Sequence, residues 1–116
     1  MGFVSHTCKK NDIKIVAISD LDASVYANLR KIAGTTDGMG FVFQHKEICP
    51  KPMIIYDDTR EWIETNYIVL HELGHILLGH TRDDSNVSTE RKELEANVFA
   101  ASILVQFLYK EYEKEA

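Results

Sequence analysis

His71-Glu72-Leu73-Gly74-His75, within the longer run Leu70-His71-Glu72-Leu73-Gly74-His75-Ile76-Leu77-Leu78-Gly79-His80, decides how the rest of the chain is read. Its two histidines stand four residues apart. On an α-helix that is about 40° of rotation, so both imidazoles leave one face. Such a pair holds a zinc ion through ring nitrogens at about 2.0–2.1 Å. Glu72 lies about 100° further round, beside the metal rather than on it. From there its carboxylate takes a proton from the attacking water and passes it to the leaving amine. Val69, Leu70, Leu73, Ile76, Leu77 and Leu78 surround the motif with apolar residues. Two histidines and a glutamate are costly to keep in a half-buried helix unless a metal partners them. The spacing predicts a hydrolytic zinc site with His71 and His75 as ligands and Glu72 as catalytic base.

Working outward, apolar positions Trp62, Ile63, Tyr67, Leu70, Leu73 and Leu77 predict a helix from about Arg60 to Leu78. Asp57-Asp58-Thr59 offers N-cap side chains, Glu61 follows Asp58 at capping-box spacing, and Gly79 suits the C-terminal cap. Upstream, Ile13–Ile18 alternates and is β-branched, which predicts a strand. Asp22 to Ala33 reads as a short helix ended by Gly34, and Gly34 to Gly40 as a loop. Phe41–His45 and Met53–Tyr56 read as strands, separated by Cys49-Pro50-Lys51-Pro52, whose prolines donate nothing to a ladder. Met53–Tyr56 is the expected edge for an extended substrate. Downstream, Thr81–Asn86 is a polar surface loop, and Ser88-Thr89-Glu90 opens a last helix running to about Tyr112.

A catalytic zinc keeps three protein ligands and one open position. His80 lies nine residues after His71, about 180° away on a continuous helix, and is expected at the surface near the helix end. Gly79 and His80 each miss the metzincin positions by one. Glu90, Glu93 and Glu95, opening the last helix, are the better donors. Glu93 and Glu95 are about 200° apart, so only one can face the metal. The apolar face of this helix centres near Leu94, Val98, Ala101 and Val105 and flanks both, so periodicity leaves the choice open. Tyr56 and Tyr67 carry hydroxyls that suit either packing or an oxyanion.

The run from His71 to His80, followed by Glu93-Leu94-Glu95-Ala96-Asn97-Val98-Phe99-Ala100-Ala101, resembles the ImmA/IrrE-type metallopeptidase family. Its members read HELGHxxLxH and then ExEANxFAAxLL. The resemblance covers about residues 53 to 104, and Ile103-Leu104-Val105-Gln106 stands where the family reads LLMP. It implies that the third ligand is the Glu of Glu-Ala-Asn, here Glu95. It also implies a protein substrate, such as a helix-turn-helix transcriptional repressor. The chain shows no helix-turn-helix of its own. Peptide deformylases pair the same motif with an upstream cysteine, but Glu47-Ile48-Cys49-Pro50 lacks their surrounding sequence.

Composition agrees with a small globular enzyme. The 116 residues are 45% hydrophobic and 27% charged, enough for one core without disulfide staples. Cys8 and Cys49 are read as free thiols of a reducing compartment. A net charge of −5 with only three pairs of adjacent basic residues argues against a nucleic-acid surface. No apolar run approaches the roughly 20 residues needed to span a bilayer. The start lacks a charged segment followed by an apolar one, so a cytoplasmic location is expected. Residues 1–116 are thus expected to form a single α+β metallopeptidase domain of minimal zincin-like fold. It would combine a small mixed sheet, the HExxH active-site helix and a second long helix, with Zn2+ as cofactor. The competing expectation is a zinc-loaded module that captures its partner, as an anti-repressor, without cutting it.

Overall fold

The computed structural model describes residues 2–34, 39–82 and 85–115. In chain order the elements are α1 (Gly2–Lys10), β1 (Lys14–Ala17), a 3-10 turn (Ile18–Asp20), α2 (Ala23–Ala33), β2 (Gly40–His45), β3 (Cys49–Tyr56), α3 (Trp62–Leu77) and α4 (Thr89–Glu115). This is a small α+β arrangement of four helices on a three-stranded mixed sheet ordered β1-β3-β2. β1 runs parallel to β3, with Ile15 opposite Ile54, and β2 runs antiparallel to it, with Phe41 opposite Ile55.

Strand alternation feeds two cores. Ile54 and Ile15 point to one face, where α1, α3 and α4 bring Val4, Cys8, Val69, Leu70, Leu73, Ala100 and Leu104. Ile55 and Val16 point to the other, among Phe41, Phe43, Tyr26 and Leu29. That period of two makes β3 the central layer. Each of Ile54 and Ile55 is fully buried, which is worth about 1.5–3 kcal/mol per side chain.

Several expectations need correcting. Met53–Tyr56 is no edge, because β3 is paired on both sides; the open edges belong to β1 and β2. β3 also starts earlier than expected, at Cys49, and carries both prolines. β1 pairs with β3 only from Met53 onward, so Pro50 and Pro52 lie beyond that ladder, beside an irregular register between Phe43 and His45. α1, which was not anticipated, buries Val4 and Cys8. Both cysteines are free thiols.

The expected capping box is absent. Glu61 occupies the N-cap of α3 with no side-chain bond. Asp57 instead accepts from the backbone and hydroxyl of Thr59, and Asp58 reaches across to Ser19. α2 follows its sequence signals: Asp22 accepts from Ser24 N, and Gly34 closes the helix at φ 70°. Of the expected loops, residues 35–38 and 83–84 lie outside the described residues. α4 buries Ala96, Ala100 and Leu104, whereas Leu94, Val98 and Val105, the expected core face, are exposed.

Candidate metal centre

The site forms where α3 and α4 cross. Gly74, inside the motif, lets the helices approach. A Cβ there would stand 3.0 Å from the Phe99 ring and 3.4 Å from Ala96 Cα. Ala96 and Ala100 supply equally small surfaces on α4 and are fully buried. Glu93 lies one turn before Ala96 on that same stripe, so the close crossing carries its carboxylate over the histidine face of α3.

His71 Nε2 and His75 Nε2 face each other at 3.1 Å. Glu93 spans them, with Oε2 at 3.0 Å from His71 Nε2 and Oε1 at 3.1 Å from His75 Nε2. Among the described residues, His71, His75 and Glu93 form a donor set able to hold a metal ion. Two donors at about 2.0–2.1 Å from a tetrahedral zinc would stand roughly 3.3–3.4 Å apart, close to each pairwise approach seen here, with Glu93 offering a separate oxygen to each histidine. The donor chemistry fits as well. Two imidazole nitrogens and a carboxylate converge on one point, and two nitrogens facing each other can share at most one hydrogen bond unless a cation lies between them. Burial first, and then the neighbouring His71, lowers the His75 pKa against the opposing pull of Glu93. The His75 lone pair therefore stays available below the ordinary histidine range. His71 Nδ1 is buried with no hydrogen-bond partner among the described residues.

Glu72 is 7% exposed. It lines a cavity of about 460 Å³ together with His71, Glu93, Met39, Gly40, Ile63, Ile68, Tyr67 and Asn97. Gly40 is required at this wall, since a Cβ there would fall 2.6 Å from Ile68 Cγ2 and 3.2 Å from the Ile55 carbonyl. Tyr67 donates its hydroxyl to Asn97 Oδ1 at 3.0 Å, whereas Tyr56 packs against the core. Cys49 takes no part in the donor set and donates its thiol to the Lys51 carbonyl.

Two of the expected placements differ. Glu95, the ligand that the resemblance implies, is not beside the histidine pair. Its Oε1 lies 2.8 Å from His80 Nε2 and its Oε2 accepts from Arg91 Nε. The His80 bond, then Arg91, holds the Glu95 carboxyl below the ordinary range. His80 is not at the surface either; its side chain is 2% exposed. The premise of a continuous helix fails at Leu77. Gly79 adopts φ 75°, and the Gly79 and His80 amides return to the Ile76 and His75 carbonyls, the paired bonds of a Schellman turn. The chain doubles back and lays His80 against His75, with Nδ1 to Nδ1 at 3.0 Å. Gly79 was a readable signal for this turn.

A peptidase family model described as the IrrE N-terminal-like domain matches residues 8–106. No curated protein and no solved structure matches the chain.

Proposed function

Because the chain belongs to the IrrE N-terminal-like domain family of peptidases, we propose that it is a zinc-dependent endopeptidase. His71, His75 and Glu93 hold the metal and Glu72 is the general base. The observation that carries this reading is the convergence of three donor groups, within 3.1 Å of one another, on the wall of a cavity that Glu72 also lines. A zinc ion there would supply a Lewis acid that polarises the scissile carbonyl and acidifies water.

The remaining work falls to the protein. Glu72 takes a proton from the attacking water and returns it to the leaving amine, and its burial shields that transfer from bulk solvent. Met39, Ile63 and Ile68 give the cavity apolar walls suited to an apolar substrate side chain. β2, an open edge whose first residue Gly40 lines the cavity, replaces Met53–Tyr56 as the strand that pairs with an extended peptide. The Tyr67 hydroxyl is the candidate donor to the developing oxyanion, exchanging its Asn97 bond for it. We extend the proposal, on the strength of the resemblance in sequence, to a regulatory protein such as a helix-turn-helix repressor as substrate.

Glu72→Gln separates cutting from capture. The substitution is expected to leave metal content and partner binding unchanged and to lower turnover by about 10²–10⁴-fold, measured on one preparation against candidate repressors. Full cleavage by Glu72→Gln would overturn the assignment. Unaltered biological effect without cleavage in either form would favour a capture module instead.

A further inference from the structure

We propose that His80 and Glu95 form a positioning relay behind the ligand His75, fixing which nitrogen of that imidazole faces the metal. The inference rests on the zinc-site reading above. His75 presents Nε2 to Glu93 and His71, so its Nδ1 is left to carry the ring proton. That Nδ1 lies 3.0 Å from His80 Nδ1. His80 therefore accepts there and keeps its own proton on Nε2, which lies 2.8 Å from Glu95 Oε1. The polarity of the chain runs one way. His75 Nδ1–H donates to His80, His80 Nε2–H donates to the Glu95 carboxylate, and Arg91 Nε–H donates to the other Glu95 oxygen.

Every link is built by the fold. The Schellman turn at Gly79 places His80, and its burial leaves the ring few alternative partners. α4 presents Glu95 two residues after Glu93 and about 200° round the helix, so one helix end supplies both a candidate ligand and the anchor for the ligand opposite. Outer partners of this kind set the tautomer, orientation and basicity of a ligating histidine, and losing them typically weakens metal binding about 10–100-fold. The relay accounts for two residues that the reaction itself does not use. It also gives Glu95 a role distinct from the ligand role implied by the sequence resemblance.

The test compares zinc dissociation constants, by chelator competition, for the wild-type chain, His80→Leu, His80→Asn and Glu95→Ala, alongside thermal unfolding of each metal-free protein. Leucine fills the His80 space without an acceptor, whereas asparagine places an amide oxygen near the former Nδ1. His80→Leu is expected to weaken zinc binding about 10–100-fold, His80→Asn to recover most of that loss, and Glu95→Ala to lose about 10-fold without a matching fall in metal-free stability. Wild-type affinity in His80→Leu and Glu95→Ala, with one zinc per wild-type chain, would overturn the relay and leave the metal site standing. Affinity losses that merely track metal-free stability, with no recovery in His80→Asn, would also overturn it. A wild-type chain that binds no zinc would overturn the metal site itself.

Discussion

Glu93 is 53% exposed at its side chain and still reaches both imidazoles, because it lies on the α4 stripe that packs against Gly74. Glu95, two residues on, is turned about 200° away and meets His80 and Arg91. Glu93→Ala removes a direct donor and is expected to weaken zinc binding by more than the about 10–100-fold typical of an outer partner. Chelator competition on this variant beside Glu95→Ala would read the difference, and a smaller loss in Glu93→Ala would reverse the two roles. At this scale the convergence of the histidine pair is legible in sequence, since an i,i+4 spacing puts both rings on one helix face without reference to anything else. The third carboxylate is not. Choosing it requires knowing which face of α4 is buried, and both faces carry apolar residues. His80 departs from its expected place for a simpler reason: helical angles do not carry past Gly79, where the helix ends and the chain doubles back.

At the scale of elements, the crossing of α3 and α4 depends on side-chain size. Gly74 faces Phe99 and Ala96 at distances a larger residue cannot keep. Gly74→Val is expected to cost about 1–3 kcal/mol through overpacking and to weaken metal binding by moving Glu93 off the histidines. Urea unfolding of the metal-free protein and a zinc titration check the two effects separately; an unchanged affinity would mean that the crossing does not set the donor spacing. The strands and the long helices were readable from period and punctuation. α1 was not, because nine residues with only Val4 and Cys8 buried carry too little apolar signal to stand out. The inner face of α4 escaped for the opposite reason. Ala96 and Ala100 are chosen for smallness, and the larger Leu94, Val98 and Val105 on the outer face dominate any hydrophobic pattern.

Across the whole molecule, two sets of titrating groups tie stability to pH. His75 has a lowered folded-state pKa, chiefly through burial, so the unfolded chain binds its proton more readily. Metal-free stability from this group is therefore complete above about 6.5, the ordinary histidine value, and declines as pH falls below it. Asp22, Asp57 and Asp58 have lowered pKa values, held mainly by bonds from Ser24, Thr59 and Ser19. Their contribution is complete above about 3.9, the ordinary aspartate value, and is lost as pH falls through their folded values. Urea midpoints of the metal-free protein are expected to fall in those two windows, and Asp58→Asn to shrink the lower step. A midpoint that rises with acidity in either window would contradict these assignments. No helix among the described residues is long and apolar enough to cross a membrane. The assembly itself, two helices from separate parts of the chain closing three donors on one point, is tested most directly by anomalous diffraction at the zinc edge. The map should show one peak per chain, bonded to His71 Nε2, His75 Nε2 and the Glu93 carboxylate, with Glu95 on His80. A peak bonded to Glu95, or no peak in crystals grown with zinc, would contradict the account.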